Sequence, residues 1–394
     1  MRFVVFGLTV SSSWGNGHAT LWRALAGALA REGHRLDFFE RDQPWYAAHR
    51  DLWTLPSGDL VIYRDLSEVR ARVDEAIASA DVAMVTSYCP DGVEAGDRVL
   101  SARSALRAFY DMDTGVTLER ARRGQPVEWL GPRGLRHYDL VLSFTGGRAL
   151  GALAGLLGAR RVAPLYGSVD PQVHRPSRPV RPFLGDLSYL GTYAPSRQAL
   201  LEALFLGPAE RLPDRTFVLA GSMYDDRFPW RPNVRYARHL EPSLHPAFFC
   251  SSPLTLSVTR AEMAALGHCP SGRLFEAAAC GVPVLSDWFD GLDAFFTPGE
   301  EILVARSTRE AVAAVELPRE RLARMGARAR ERALDEHSAA ARARELVRLC
   351  EAARRSERLA LPPLPGTEAR AGIDAGGTRG ATAALDAAAE GLAG

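Results

Sequence analysis

The sequence predicts an α/β protein built from two domains. Short runs of β-branched and aromatic residues, such as residues 3–10 and 82–86, alternate with helical stretches and end in polar or glycine-containing turns. This alternation is typical of parallel sheets whose strands are joined by crossover helices. The length of 394 residues suits two such domains. A proline-rich stretch at residues 167–182 divides the chain near its middle and is interpreted as the linker.

Residues 1–172 are predicted to form the first domain. It begins with a βαβ unit whose glycine-containing loop, residues 11–18, precedes a helix. Further strands are expected at 36–39, 82–86, 107–110, 138–144 and 162–166. Because a helix N-terminus presents unpaired N–H groups, the loop is a candidate anion or sugar site. Its candidate contact residues are Ser13, Gly15, Asn16 and Gly17. His18 either orients a substrate or caps the helix, and the pattern favours neither interpretation.

Two carboxylates, Asp111 and Asp113, follow the strand predicted at 107–110. Open α/β sheets place their chemistry at the carboxyl ends of strands, so Asp113 is a candidate catalytic residue. The same D-x-D spacing also resembles a known metal-binding motif. The alternative is that one of the two carboxylates caps the helix expected at 116–123. No group of histidines and cysteines has the spacing of a metal site.

Residues 183–353 are predicted to form the second domain. Its first strand ends at Gly191 and Thr192, and a helix follows Arg197. A guanidinium binds phosphate through two parallel hydrogen bonds, so Arg197 is a candidate diphosphate ligand rather than a solvated surface residue. Arg260 follows the strand at 254–258 and is a second candidate. The tail at 362–394, rich in Ala, Gly and Thr, is predicted to be disordered.

The most informative stretch is residues 271–305. A short helix ends at a glycine, a buried strand follows, and a polar loop at 287–293 comes next. Such a loop lies where an open α/β sheet forms a ligand crevice. Glu276 is a carboxylate in a helix otherwise made of Leu, Phe, Ala and Cys, so it requires a partner or a ligand. The alternative is a glutamate on a helix surface that faces water.

Composition excludes several classes of function. The formal net charge is +1, so nucleic acid is not a predicted partner. The chain has no lysine and all 48 basic side chains are arginines, which excludes a P-loop lysine and a Schiff-base lysine. The five cysteines include no C-x-x-C pair, which favours reduced thiols in a cytoplasmic protein. No apolar run is long enough to span a bilayer.

Several motifs in fixed order resemble one family. LFEAAACGVPVLSD at 274–287, followed by GLDAFF and PGEEIL, resembles the donor-binding segment of the group 1 GT-B glycosyltransferases. These motifs, and SWGNGHATLWRAL at 13–25, are similar more narrowly to the CgeB-like (spore maturation protein) branch. The resemblance covers roughly residues 1–353. It implies the GT-B fold, in which two Rossmann-like domains face each other across a cleft, with the acceptor on the first and a nucleotide-sugar on the second.

The resemblance also implies roles for residues of the second domain. Glu276 would bind the ribose hydroxyls of the donor. Arg197 stands where the family has a lysine that touches the diphosphate, and Thr192 replaces a family arginine in the same loop. The donor-side candidates are Gly191, Thr192, Arg197, Arg260, Glu276, Asp287, Gly291 and Leu292. His268 stands where the wider group has a glutamate that touches the donor sugar.

On the first domain, the loop at 13–17 becomes the acceptor side, and Asp113 and His18 are the candidate catalytic residues. GT-B enzymes do not use a D-x-D metal motif, so the resemblance implies a reaction with no metal and no other cofactor. The family at large retains the anomeric configuration, and retention is expected here. The implied partners are a nucleotide-sugar donor and an acceptor that the residues do not identify.

Two other functions remain open from the sequence. A protein of the same fold can bind a nucleotide or a sugar without turnover. Alternatively, the loop at 11–18 binds NAD, with Glu40 at the end of the second strand as the acidic partner of its ribose. Protection by NAD(H) but not by nucleoside diphosphates in a thermal-shift screen would favour that alternative.

Overall fold

Two parallel β-sheets organise the computed structural model, which describes residues 1–14 and 16–355. Gly15 and the tail at 362–394, predicted to be disordered, lie outside the described residues. The alternation of strands and helices confirms the predicted α/β class. Each sheet has helices on both faces, which explains why its strands read as nearly continuous apolar runs.

The first sheet has seven strands within the described residues. They are β1 (Arg2–Gly7), β2 (Arg35–Arg41), β3 (Leu60–Tyr63), β4 (Val82–Thr86), β5 (Leu106–Asp111), β6 (Leu140–Ser143) and β7 (Val162–Pro164). Their order is β3-β2-β1-β4-β5-β6-β7, with every neighbouring pair parallel. Phe3 pairs with Leu36 on one side and with Val82 on the other. Strands β2 and β3 are added on one side of β1, and β4 to β7 on the other. The boundary between β1 and β4 is therefore a topological switch point.

The second sheet has six strands in the described part of the chain. They are β8 (Leu187–Leu190), β9 (Phe217–Ala220), β10 (Val234–Ala237), β11 (Thr255–Ser257), β12 (Val284–Ser286) and β13 (Ile302–Val304). The order is β10-β9-β8-β11-β12-β13, again parallel throughout. Its switch point lies between β8 and β11, so the loops that follow these two strands face a crevice.

The helices follow the strands in alternation. Those of the first domain are α1 (Gly17–Arg31), α2 (Pro44–Ala47), α3 (Arg70–Ser79), α4 (Gly92–Leu100), α5 (Thr114–Arg122) and α6 (Arg148–Leu157). The later ones are α7 (Gln198–Leu201), α8 (Gly207–Arg211), α9 (His245–Cys250), α10 (Ala261–Ala264), α11 (Gly272–Ala279), α12 (Thr308–Val315), α13 (Arg319–Glu336) and α14 (Ala339–Arg354). A π-helical segment, Glu202–Leu206, joins α7 to α8. Short 3₁₀ turns are Leu66–Val69, Arg181–Phe183, Pro195–Arg197, Pro242–Leu244 and Leu292–Ala294. Within the described range, no helix combines the length and apolar character needed to cross a bilayer.

The last helix, α14, packs on the first domain although it follows the second in sequence. Leu346 and Leu349 are buried in one cluster with Phe3, Val5 and Leu25 of the first domain. Residues 183–353 were predicted to form the second domain, but the end of that range packs against the first. The chain crosses between the domains twice, because the linker also passes from the first to the second.

The two crossings lie side by side. Val169 of the linker forms a parallel bridge with Ser338, the residue before α14. The Ala339 N–H donates to the Val169 carbonyl at 2.7 Å, and the Val169 N–H donates to the His337 carbonyl at 3.0 Å. Backbone pairing therefore ties both connections together at one place.

A second contact between the domains runs through His268. Its N–H donates to the Asp290 carbonyl at 2.6 Å, and its carbonyl accepts from the Gly146 N–H at 2.9 Å. An added Cβ at Gly147 would lie 2.8 Å from the His268 Nδ1, and one at Gly291 would lie 2.5 Å from the ring. Glycine is required at both positions because the ring is clamped between the two loops.

Candidate active site

A cavity of about 510 Å³ lies between the two domains, and loops of both line it. Of the site residues predicted from the sequence, those that line the cavity are Gly17, His18, Asp113, Gly191, Thr192, Arg197, Arg260 and Glu276. The first three belong to the first domain and the rest to the second. Residues predicted separately, from loops far apart in the chain, thus face a common space.

The strand order explains this convergence. α1 comes after β1, the loop from Gly191 to Arg197 follows β8, and Arg260 follows β11. These strands lie at the two switch points. There the connections that follow two neighbouring strands run to opposite sides of the sheet and leave a crevice between them.

His18 and Asp113 form a pair on the first-domain side. The His18 Nε2 lies 2.6 Å from the Asp113 Oδ2, and the Asn16 side chain accepts from the His18 N–H at 2.9 Å. Asp113 occupies the N-cap position of α5, but its side chain bonds His18 instead of the helix N–H groups. Burial alone would raise the pKa of Asp113, but the hydrogen bond and charge of His18 outweigh it and lower the pKa. An ionised carboxylate is therefore held at the cavity wall.

Asp111 is enclosed behind this pair and is fully buried. Its Oδ1 accepts from the Thr117 hydroxyl at 2.9 Å, and its Oδ2 has no hydrogen-bond partner among the described residues. Burial raises the pKa of Asp111 to about 7. The two carboxylates of the D-x-D sequence thus differ in environment, since one bonds a cavity histidine and the other sits in the core.

Strained backbone occurs at one residue of the cavity wall and at two residues near it. Tyr88, Met223 and His268 have φ angles of 60°, 69° and 46°, the positive values found for non-glycine residues in the described chain. Met223 lines the cavity, and the Tyr88 ring lies edge-on to His18 at 6.1 Å and against Trp129 at 4.3 Å. Such residues cost about 1–3 kcal/mol each and concentrate at functional sites. Sequence reasoning missed Tyr88 and Met223 because nothing in their local pattern marks a left-handed backbone.

Arg197 lies at the cavity wall in the 3₁₀ turn Pro195–Arg197. Its Nη1 donates to the Thr192 carbonyl at 3.0 Å, while its Nε has no partner among the described residues. An added Cβ at Gly191 would lie 2.6 Å from the Tyr189 hydroxyl, so the loop requires glycine there. The loop thus holds the guanidinium in place and leaves donors available for a phosphate.

Arg260 approaches from the other side of the second switch point. It occupies the N-cap position of α10, which contacts α5 of the first domain. Its positive charge acts on Asp113 and on Tyr88 across the cavity. It therefore lies where the candidate donor and acceptor sides meet.

Glu276 is buried in α11 and still faces the cavity. Its Oε2 accepts a short hydrogen bond from the Arg273 Nη1. Burial alone would raise the pKa of Glu276, but the Arg273 guanidinium outweighs it and lowers the pKa to about 2. The surface-glutamate alternative is wrong, because the side chain is buried and its carboxylate pairs with Arg273. Arg273 also lines the cavity, although the sequence pattern did not mark it as a site residue.

Two buried histidines lie next to this carboxylate. The His174 Nε2 is 3.9 Å from the Glu276 Oε2, and the side chains of His174 and Glu276 are 2% and 6% exposed. Ligand atoms of His174, His245 and Glu276 all lie within 4.8 Å of one another. Burial lowers the pKa of both histidines, that of His245 to about 3. Sequence reasoning missed this group because the three residues come from the linker, α9 and α11.

Two residues of the predicted acceptor-side loop do not reach the cavity lining. The Ser13 hydroxyl donates to the Asp51 Oδ2 at 2.6 Å, and Asn16 serves as the N-cap of α1. Gly15 is outside the described residues. Of this loop, Gly17 lines the cavity together with His18.

Three predicted donor-side residues also lie outside the lining. The Asp287 Oδ1 accepts from the Thr259 N–H at 2.8 Å, so this carboxylate fixes the loop before Arg260. Gly291 packs against His268, and Leu292 is fully buried in the core. Their role in the structure is to shape the loops behind the cavity.

Glu40 has no free oxygen for a ligand. It is 2% exposed, and its carboxylate accepts hydrogen bonds from the N–H groups of Val10 and Ser11 at 2.6 and 3.0 Å. The hydroxyls of Ser11 and Thr9 donate to its other oxygen. The NAD alternative required Glu40 at a ribose, and the structure instead uses it to hold the loop after β1.

Comparison with known proteins bears on this fold and site. Residues 197–348 match a protein family described as "Glycosyl transferase-like", a range that contains Arg197, Arg260 and Glu276. No curated protein matches the sequence.

Several solved structures share the architecture at low sequence identity. Sucrose-phosphate synthase from Thermosynechococcus elongatus aligns with a TM-score of 0.63 and 13% identity, over 91% of this chain and 100% of that chain. HepE of Anabaena, solved with UDP-glucose, aligns at 0.60 and 12%, over 89% and 100% of the two chains. An alpha-glucosyltransferase bound to UDP and a 13-mer DNA aligns at 0.62 and 13%, over 89% and 99%. The chain therefore has the GT-B fold, and its residues 197–348 are similar to a glycosyl transferase-like family.

Proposed function

We propose that the protein transfers a glycosyl group from a nucleoside diphosphate sugar to an acceptor hydroxyl. One observation carries the proposal: a single cavity joins Arg197, Arg260 and Glu276 of one domain to the Asp113–His18 pair of the other. The UDP and UDP-glucose complexes of the structural neighbours support a nucleoside diphosphate sugar as the donor class. The motifs at 274–287 and 13–25 support membership of the CgeB-like branch, and the cysteine pattern supports a cytoplasmic location.

On the donor side, the difficulty is the negative charge that develops on the leaving diphosphate. Arg197 and Arg260 flank the second switch point, and their guanidinium groups stabilise that charge by hydrogen bonds in a partly buried site. The Glu276 carboxylate accepts hydrogen bonds from the ribose hydroxyls. Arg273 holds that carboxylate ionised and so keeps it an acceptor.

On the acceptor side, Asp113 faces the cavity as an ionised carboxylate. It orients the attacking hydroxyl by accepting its hydrogen bond, and His18 fixes the position of the carboxylate. Because Asp111 is buried in the core, the D-x-D pair does not offer a divalent ion two open carboxylates. The transfer itself proceeds without Mg²⁺ or Mn²⁺ and with retention of the anomeric configuration.

A donor screen tests the proposal. The purified protein is incubated with UDP-, GDP- and dTDP-sugars without added Mg²⁺ or Mn²⁺, and ³¹P NMR follows the released nucleoside diphosphate. Slow hydrolysis of one donor, with the anomer of the freed sugar read by ¹H NMR, is the expected result. Hydrolysis only after addition of Mn²⁺ would contradict metal independence. Binding of a nucleoside diphosphate with no release from any donor would instead identify a non-catalytic binding protein.

A further inference from the structure

The geometry points to a transition-metal site at His174, His245 and Glu276, beside the cavity that Glu276 lines, and we propose that it binds Zn²⁺. Two imidazoles and one carboxylate form the protein ligand set of known zinc sites. Among the described residues this is the group of three His, Cys, Asp or Glu side chains whose ligand atoms approach one another closely enough. The site goes beyond the proposed transfer reaction, which uses no metal at the diphosphate.

The hydrogen bonding of His245 leaves one ring nitrogen free to bind a metal. Its Nε2 lies 3.3 Å from the Leu240 carbonyl, so that nitrogen carries the proton and donates it. The Nδ1 then presents a lone pair, is buried and has no partner among the described residues. Histidines that ligate metals commonly donate their other ring N–H to a carbonyl, which fixes the tautomer and the ring orientation.

Among the residues that the structure describes, His174 has two unpaired ring nitrogens, whereas His245 has one. The His174 side chain is 2% exposed, and neither of its ring nitrogens has a hydrogen-bond partner in the described chain. A buried polar group without a partner costs about 1–3 kcal/mol, so a histidine with two such atoms requires an explanation. An ion between His174, His245 and Glu276 satisfies one nitrogen of each ring.

The distances fit after a small adjustment of side chains. The ligand atoms lie within 4.8 Å of one another. Two atoms that each lie about 2.1 Å from a zinc ion are at most about 4 Å apart. A small side-chain rotation that moves a ligand atom by less than 1 Å closes the difference. Such a movement keeps the imidazole or carboxylate within its rotamer. Glu276 lines the cavity, so an ion reaches the site from there.

Arg273 is the group that competes with the ion. It pairs with the Glu276 Oε2, and its side chain is 32% exposed. Because the guanidinium also borders the cavity, it can turn toward solvent when a cation takes the carboxylate oxygen. The Arg273 guanidinium and the metal ion therefore compete for the Glu276 carboxylate. Removal of Arg273 should strengthen metal binding.

Zinc binding to the full-length protein tests the inference without any nucleotide. The protein is freed of metal with a chelator, and Zn²⁺ is titrated by competition with a chromophoric chelator. We expect one ion per chain. His245→Gln should weaken binding by more than about tenfold, since even outer-shell changes cost about 10–100-fold. Arg273→Ala should tighten it about tenfold, the scale of one charge removed at a few ångströms.

His337 supplies the matched control. It is buried, its Nε2 lies 3.3 Å from the Phe295 carbonyl, and its Nδ1 has no partner in the described chain, so it repeats the setting of His245 without the other two ligands. His337→Gln should leave zinc affinity unchanged. His174→Phe removes a ligand and also removes two unpaired buried nitrogens, so it should lose zinc while its melting temperature holds.

Co²⁺ provides a second readout, because ligation by two nitrogens and an oxygen gives visible d–d absorption. Wild-type protein should show these bands, and His174→Phe should lack them. The inference is overturned if no stoichiometric Zn²⁺ binding occurs, which would leave only water among these side chains, or if His245→Gln and His337→Gln weaken binding equally. The proposed ribose contact uses the same Glu276 carboxylate, so zinc binding is measured with no nucleotide present. The proposed transfer requires no metal, so failure of zinc binding is separate from failure of the transfer.

Discussion

In the proposed donor site, Arg197 contributes positive charge and Glu276 contributes hydrogen-bond acceptors. The guanidinium of Arg197 has one nitrogen bonded to Thr192 and keeps others for a ligand. The carboxylate of Glu276 is an acceptor only, and its neighbour Arg273 keeps it so. Under the proposed function, the diphosphate contacts the first residue and the ribose the second, so mutation of each should affect a different part of the ligand.

Arg197→Ala should weaken the binding of a nucleoside diphosphate more than that of the bare nucleoside. The lost contact is a charge-assisted hydrogen bond to phosphate, worth about 1.5–3 kcal/mol. Isothermal titration with both ligands measures the difference. Arg321→Ala, an exposed arginine on α13, is the control and should change neither affinity. Equal losses for the diphosphate and the nucleoside would remove Arg197 from the phosphate site.

At the scale of an element, the end of β5 carries a destabilising group. Asp111 is its last residue, is fully buried and has an unpartnered Oδ2. Burial raises its pKa from 3.8 to about 7, so the folded protein binds a proton more tightly there than the unfolded chain. Stability from this group is therefore present below about pH 4 and is lost as the pH rises to about 7.

Asp111→Asn should raise the free energy of unfolding above pH 7 by a few kcal/mol, since one pKa unit corresponds to about 1.4 kcal/mol. The amide keeps the acceptor for Thr117 and carries no charge. The gain should shrink toward pH 4, where the native carboxyl is already protonated. Urea unfolding at both pH values measures it.

Asp37→Asn is the contrasting variant. Asp37 is equally enclosed, but it pairs with Arg2 and Arg35 at 3.0 and 2.9 Å. Its neutralisation should lower stability at pH 7. A gain at both positions, or a gain for Asp111→Asn that does not depend on pH, would contradict this account of β5.

The elements around the cavity show what local sequence could predict. The helix with Glu276, its glycine stop and the strand after it occur where the pattern predicts them, because all three signals are local. The loop after β12 was predicted to contact a ligand. Leu292 of this loop is buried, however, and the His268 ring occupies the space beside Gly291. A pattern gives the place of a loop relative to the sheet, but packing decides which side chains turn outward.

At the scale of the whole molecule, helix α14 couples the end of the second domain to the core of the first. α14 follows the second domain and buries its apolar face against α1 and β5 of the first. The predicted domain range ended at 353 because a continuous helical pattern gives no sign of which core it joins. Nor could sequence spacing predict the group of His174, His245 and Glu276, which only the fold of three separate segments assembles.

Leu346→Ala, in α14, should lower the free energy of unfolding by about 2–5 kcal/mol, the range for a leucine removed from a packed core. Because the helix joins the first-domain core, the loss should appear in the unfolding of that domain. Urea denaturation followed by tryptophan fluorescence measures it, because five of the seven tryptophans, the buried Trp22 among them, belong to the first domain. Arg348→Ala, on the exposed side of the same helix, should change stability by less than about 0.5 kcal/mol. A small effect of Leu346→Ala would mean that α14 is not part of this core.

The claim that the cavity is a nucleotide-sugar site depends most on Glu276. Affinities of a ribonucleoside diphosphate and its 2′-deoxy analogue are measured for the wild-type protein and for Glu276→Gln, which keeps the shape and replaces one acceptor oxygen by a donor group.

If the carboxylate accepts from both ribose hydroxyls, the variant should lose about 1.5–3 kcal/mol of binding for the ribonucleotide and less for the deoxyribonucleotide, which already lacks one contact. The melting temperature of each protein shows whether the fold is intact. Equal losses for the two nucleotides, or no loss for either, would contradict the assignment of this cavity as the donor site.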